Sequence, residues 1–201
     1  IDEHFETARS MAMPMEPRGV IAYIDDDGLL VVIASTQVTY HLREAIAHVL
    51  GLAEERIRVI APDVGGAFGA KAQLYAEEIL IPALALKLER PVKWIETRSE
   101  HFIATCHDRE QQHEIRVGFR SDGTINAIED HFAADFGAYA VQEDGVTSST
   151  MFHLCSPYRV PNYRAECRNI VTNKPFAAAV RGSGRPEAMF AMDRVLDIGA
   201  R

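Results

Sequence analysis

Two glycine-rich turns are the places where this sequence is equipped for chemistry. The first, Val64-Gly65-Gly66-Ala67-Phe68-Gly69-Ala70-Lys71, joins a predicted strand to a predicted helix. The second, Ala179-Val180-Arg181-Gly182-Ser183-Gly184-Arg185-Pro186-Glu187, leads from an extended segment into the last predicted helix. A helix N-terminus offers unpaired N–H groups and the positive end of the backbone dipole, and glycine lets a ligand approach the main chain. Both turns therefore suit a polar or anionic ligand, and Arg181 and Arg185 add fixed charge to the second. Composition alone fits equally well with plain connections in which glycine relieves positive-φ strain.

Spacing narrows the ligand. A Walker-type phosphate loop needs Gly at 70 and Ser or Thr at 72, where Ala70 and Ala72 stand. The dinucleotide fingerprint G-x-G-x-x-G is not met by Gly65, Gly66 and Gly69. Phe68, set between the glycines, would wall a pocket rather than wet it.

The surrounding elements supply the positioning. Val20–Ile24 and Leu29–Ser35 flank Asp25-Asp26-Asp27-Gly28, a hairpin signal. Leu42, Ala45, Ile46, Val49 and Leu50 form one helical stripe, with Gly51 as its cap. Arg56–Ile60 reads as a strand entering the first glycine turn. A helix over 72–88 follows, interrupted by Pro82, and Val92–Ile95 is another strand. Ile115–Phe119 and Ile125–Phe132 make a second hairpin, Tyr163–Val171 a strand, and Pro186–Ile198 a last helix. Residues 1–18 read as irregular, and 137–161 gives no clear pattern. The mixture of hairpins and strand–helix units predicts an α+β fold, with mixed sheets and packed helices.

Composition excludes several functions. The 201 residues are 47% hydrophobic and 25% charged, which suits a packed globular chain. A formal net charge of -8 argues against nucleic acid as a partner. No apolar run approaches the roughly 20 residues of a membrane span. Cys106, Cys155 and Cys167 are odd in number and far apart, which predicts reduced thiols and a cytoplasmic location. The chain begins without Met and ends inside a predicted helix, so it is expected to be a fragment.

Four segments occur together in order: Ser35-Thr36-Gln37, Gly65–Lys71, Arg90-Pro91-Val92-Lys93-Trp94 and Arg181–Glu187. In that order and approximate spacing they resemble the large, molybdopterin-binding subunits of the xanthine dehydrogenase and aldehyde oxidase family. Within it the likeness is greatest to carbon monoxide dehydrogenase-like subunits that lack the copper-binding Cys. Glu16-Pro17-Arg18-Gly19 is similar to the segment that opens their cofactor-binding half. The family subunit is much longer. On this resemblance, 1–18 is an interdomain strap and 19–201 the first portion of the molybdenum-cofactor-binding domain.

The resemblance implies a hydroxylase that inserts a water-derived oxygen into a C–H bond of an aldehyde, N-heterocycle or other small aromatic. It implies molybdenum held by a pterin dithiolene, in the cytosine dinucleotide form common in bacterial members. Electrons would leave through a [2Fe–2S] subunit and an FAD subunit. No protein ligand to the metal is implied, which agrees with the absence of a metal-spaced Cys/His cluster. The eight histidines read as surface or satisfied core, with His41 and His48 on one helix face and His107 and His113 on a strand.

Roles follow motif by motif. The resemblance makes Gln37 an amide donor to an oxygen ligand of molybdenum; its plainer reading is a cap on the next helix. Phe68 and Gly69 would offer backbone N–H groups as an oxyanion hole does, with Gly66 and Ala67 completing the cofactor turn. Arg181 would stabilise charge, and Gly182, Ser183 and Gly184 would line the pocket. Gln37 and Arg181 are the catalytic candidates. Ala72, Arg109 and Ser183 are the substrate-pocket candidates, although Arg109 also fits a surface charge on a strand.

The departures from the family pattern carry information. Gly182 stands where the copper-containing carbon monoxide dehydrogenases have Cys. Purine oxidisers have Glu at the position of Ala72 and an aromatic at that of Ser183, which argues against xanthine. The family's general base is a Glu in a later motif that nothing here matches, so it is expected beyond Arg201. Glu78, Glu143 and Glu187 read as ordinary helix or loop surface. A fragment without that base is expected to be inactive alone. The rival reading is a non-catalytic binding module that retains the fold.

Overall fold

The first eleven residues, expected to be irregular, form two strands, β1 (Asp2–Thr7) and β2 (Ser10–Met11). Asp-Glu-His-Phe-Glu-Thr alternates in burial but has one large apolar side chain, and its partner strand lies far along the chain. The local sequence signal is correspondingly weak. The computed structural model describes residues 1–139, 141, 145–155 and 157–201. These divide into two compact units, one of Ala12–Thr105 and one of Ile1–Met11 with Cys106–Arg201.

In the unit of residues 12–105, the hairpin predicted around Asp25–Gly28 joins β3 (Gly19–Ile24) to β4 (Leu30–Ala34). Asp25 Oδ1 accepts the N–H groups of Asp27 and Leu29 at 3.1 and 2.8 Å, closing the turn through its side chain. The unbroken apolar run of β4 follows from its central place, with Leu30, Val31, Val32 and Ala34 all buried. Helix α1 (Thr39–Leu50) crosses from β4 to the parallel β5 (Ile57–Ile60). Its stripe buries Leu42, Ile46 and Ala47, and Gly51 ends it by donating its N–H to the Ala47 carbonyl.

Helix α2 runs over Ala76–Leu88, four residues later than its composition predicts. The delay has a local cause. Ala70–Ala72 form a 3-10 turn, and the Glu78 carboxylate accepts the Tyr75 N–H at 3.1 Å, which starts the α-helix at that capping box. Strand β6 (Val92–Ile95) then pairs antiparallel with β3, giving the order β5-β4-β3-β6. A short helix, α3 (Arg98–Ala104), was not foreseen; Thr97 and Glu100 cap it reciprocally. Val20, Leu30, Val32, Leu42, Ile46 and Ile81 pack into one core, each worth roughly 1.5–3 kcal/mol of burial.

Arg18 anchors the segment before β3. It is 3% exposed, donates to Glu96 Oε1 at 2.6 Å and Glu77 Oε2 at 3.1 Å, and stacks 3.7 Å from the Tyr75 ring centroid. Burial would lower its affinity for the proton, but its carboxylate partners outweigh that and raise its pKa above the usual arginine value.

In the other unit, β7 (His107–Asp108) pairs with β2, while β8 (Gln111–Phe119), β9 (Ile125–Gly137) and β10 (Tyr163–Val171) extend from β1. The order is β1-β8-β9-β10, with β10 parallel to β9 and the other neighbours antiparallel. Helix α4 (Gly145–His153) lies in the stretch that the pattern left open, and α5 (Arg185–Gly199) is the expected last helix. Ala188, Ala191, Met192 and Val195 of α5 share one face, which packs on Ile115, Val117 and Ile128. The fold is α+β with mixed sheets, as the sequence predicts. Among the described residues no helix is long and apolar enough to cross a membrane.

Candidate functional site

Gln37 lies between β4 and α1, and its side chain reaches the first glycine turn. Its N–H donates to the Lys71 carbonyl at 2.9 Å, and its Oε1 accepts the Gly69 N–H at 3.0 Å. An N–H can only donate, so the oxygen of the amide must face Gly69 and Nε2 must face away. The Gln37 side chain is thus held as an acceptor, with its neutral Nε2 group turned away from Gly69. It does not cap α1, whose N-cap is Val38 without a side-chain bond. Gly69 itself departs from expectation: its N–H is directed to Gln37.

The turn folds back on itself. Gly66 N–H donates to the Val64 carbonyl at 2.9 Å, Ala70 N–H to Ala67 at 3.0 Å and Ala72 N–H to Gly69 at 3.0 Å. Phe68 takes φ 55 and Gly69 φ 99, and the Phe68 side chain is exposed. Gly65 must be glycine for space: a Cβ there would lie 2.6 Å from Glu16 Cβ. Glu16 Oε2 accepts both the Gly65 N–H at 2.7 Å and the buried Lys71 ammonium at 2.9 Å. Burial would raise the Glu16 carboxyl, but the bonds from Lys71 and Gly65 hold it below the usual carboxylate range. The lysine of this turn faces inward.

The Glu16-Pro17-Arg18-Gly19 segment therefore has a structural reading. Glu16 holds the glycine turn, Arg18 the Glu96 carboxylate, and Gly19 the Ser35 hydroxyl, to which it donates at 3.1 Å. Sequence reasoning missed Glu16 and Lys71 as site-forming residues. The available signal was a lysine at the end of an apolar turn, which needs a carboxylate if it is buried.

The second turn belongs to the other unit. Gly182, Ser183 and Gly184 take φ values of 104, 47 and 82, three consecutive left-handed residues that bend the chain into α5. A Cβ on Gly184 would lie 2.2 Å from the Val146 carbonyl, so glycine lets α4 approach here. Arg109, with φ 81, donates through Nη1 to both Glu187 oxygens at 3.2 and 3.3 Å and through Nη2 to the Arg181 carbonyl. It is neither on a strand nor a free surface charge: it clasps the turn that carries Arg181. Asp108 accepts the Val180 N–H at 3.0 Å, and burial pushes its carboxyl up to about 6.

The structure brings Gln37, Gly66–Gly69 and Ala72 together in one unit, and Arg109, Arg181, Gly182, Ser183 and Gly184 in the other. Two nominated acids need correction. Glu78 and Glu187 are not surface residues but are 4% and 1% exposed. Burial pushes the Glu78 carboxyl up to about 7. Glu143 lies outside the described residues. Two histidines are satisfied core groups: His101 bonds Glu96 and the Ala12 carbonyl, and His113 bonds Asp130 and Gln111. Among the described residues no three His, Cys, Asp or Glu side chains converge as a metal site.

Each unit thus carries one glycine turn: one lies beside the Gln37 amide, and the other, bearing Arg181, opens α5. The family model for the molybdopterin cofactor-binding domain matches residues 1–201, and the chain belongs to that family. It is 34% identical over 199 residues to the 6-hydroxypseudooxynicotine dehydrogenase complex subunit gamma of Paenarthrobacter nicotinovorans, covering 98% of this chain and 25% of that protein. It is also 32% identical over 202 residues to the nicotine 6-hydroxylase large subunit of the same organism, covering 98% of this chain and 25% of that protein. The crystal structure of quinoline 2-oxidoreductase from Pseudomonas putida 86 matches with a TM-score of 0.93 at 34% identity, covering 100% of this chain and 26% of that one. The chain spans about a quarter of the length of these relatives.

Proposed function

We propose that this chain forms the first portion of the cofactor-binding domain of a molybdenum hydroxylase large subunit. The protein of which it is part would oxidise an aldehyde or an N-heterocyclic or aromatic substrate, with water as oxygen source. The observation that carries this reading is the Gln37–Gly69 bond, which fixes a neutral amide donor beside a glycine turn. The Gln37 Nε2 group, turned away from Gly69, supports an oxygen-bearing ligand group at this turn. Lys71 is paired with Glu16, so the turn projects no competing cation.

When bound, the molybdenum–pterin group supplies the two-electron acceptor; the cytosine dinucleotide form is proposed. Gln37 Nε2 would donate toward an acceptor oxygen of that group. Arg181 would set positive charge beside the bound ligand, its carbonyl held by Arg109. Glu78 and Glu187 are committed to Tyr75 and Arg109, so the proton-accepting base is assigned to neither. A [2Fe–2S] subunit and an FAD subunit are the proposed electron-carrying partners.

By the family resemblance, Ala72 supplies no purine-facing carboxylate and Ser183 no aromatic lid, which widens the proposed substrates to aldehydes, N-heterocycles or other small aromatics. The test is turnover of quinoline-like heterocycles, aldehydes and xanthine by the natural full-length complex in 18O-labelled water. The expected result is label in a hydroxylated heterocycle or in the acid formed from an aldehyde. Xanthine as the best substrate, or unlabelled product, would contradict the reading.

A further inference from the structure

Lys71 occupies a place in the glycine turn where a phosphate loop directs its amine at the ligand, yet here the side chain is only 1% exposed. Its Nζ donates to Glu16 Oε2 at 2.9 Å, and the same oxygen accepts the Gly65 N–H at 2.7 Å. The Glu16 N–H returns a bond to the Gly65 carbonyl at 3.1 Å. At its other end, the Lys71 carbonyl accepts the Gln37 N–H at 2.9 Å and the Thr36 hydroxyl at 3.3 Å. One residue therefore joins three segments: the stretch of chain before β3, the glycine turn, and the loop that carries Gln37.

We infer that the Glu16–Lys71 ion pair is a positioning device, which holds Gln37 and the Gly65–Gly69 turn in register without either charged residue touching the ligand. The inference rests on the cofactor reading of that turn. A buried ammonium keeps its charge only beside a carboxylate, so the pair fixes where the Lys71 backbone lies. The Lys71 carbonyl then fixes the Gln37 main chain, and Gly69 fixes the Gln37 side chain. Both ends of Gln37 depend on residues 69–71. Removing the amine costs little elsewhere, because Glu16 is 39% exposed and stays hydrated.

The test is amide hydrogen exchange on the natural full-length protein in its complex, comparing wild type, Lys71→Met and Gln37→Ala. Lys71→Met should speed exchange over residues 64–72 by about tenfold, the protection of about one net hydrogen bond, while α2 and β4 stay unchanged. In the same preparations it should lower kcat with KM unchanged, and add no further loss to Gln37→Ala. Unchanged exchange over 64–72, equal acceleration across α2 and β4, or additive losses of kcat would overturn the inference. Glu16→Gln, which keeps the shape and an acceptor for Gly65, is read by the same criteria if Lys71→Met does not fold. Exchange needs no bound cofactor, so a complex without molybdenum would end the cofactor reading and leave this result interpretable.

Discussion

The Gly69 N–H donates to Gln37 Oε1 at 3.0 Å, and this one bond decides which way the Gln37 amide faces. Substitutions at 37 can therefore separate the two jobs of the side chain. Gln37→Glu keeps the acceptor for Gly69 and loses the outward donor. Its thermal midpoint should match wild type, while kcat falls on the order of 10²–10³-fold, as for loss of an oxyanion-hole donor. Wild-type turnover by Gln37→Glu would remove Nε2 from the chemistry.

Arg109 and Glu187 should behave as a coupled pair. Glu187 has no exposed side-chain surface and Arg109 has 17%, so removing the cation leaves a carboxylate buried alone. Arg109→Met should cost about 3–5 kcal/mol in urea denaturation. The double variant Arg109→Met/Glu187→Met should recover part of that loss. Strict additivity of the two single costs would show that the pair is not the clasp of the Arg181 turn.

Gly184 should tolerate no side chain. It has φ 82, and a Cβ would meet the Val146 carbonyl at 2.2 Å and Thr150 Oγ1 at 2.6 Å. Gly184→Ala should lose more than about 2 kcal/mol, from left-handed strain together with the clash against α4. Gly123→Ala is the control, because it also has positive φ but nothing within 4 Å of its Cβ. Equal losses in thermal unfolding would mean that contact with α4 contributes nothing.

Glu78 should make stability fall as the medium turns neutral. Burial pushes its carboxyl up to about 7, above the value in an unfolded chain, so the folded form binds this proton more tightly. The stability it contributes is fully present below about pH 4.5 and is lost as pH rises through about 7, by up to about 3 kcal/mol. Glu78→Gln keeps an acceptor for Tyr75 without the titration. Denaturation at about pH 5 and about pH 8 should therefore show the variant gaining on wild type at the higher pH. A constant difference between the two proteins would contradict the buried, raised carboxyl.

Elements marked by a clear turn or an apolar stripe were legible, and those with a weak local pattern were not. The β3–β4 hairpin follows from Asp25–Gly28, and α1 from the Leu42–Leu50 stripe ended by Gly51. Strand β1 was hidden because Phe5 alone marks its apolar face and β8 completes it. The start of α2 was misplaced because Ala70–Ala72 has helical composition, while Gly69 and the Tyr75–Glu78 box decide the backbone.

The two glycine turns were legible because turn chemistry is local, whereas Gln37 was marked only by the family resemblance. The inward lysine was not legible, because the direction of Lys71 is set by Glu16, 55 residues away. Glu187 was misread as surface for the same reason. Its partner Arg109 lies 78 residues upstream.

The most direct measurement is the molybdenum and pterin content of the natural full-length protein, purified with its partners. The account predicts both groups, bound in stoichiometric amounts and reduced in occupancy or altered in their Mo(V) resonance by Gln37→Ala. A folded, intact complex that contains neither molybdenum nor pterin would contradict it.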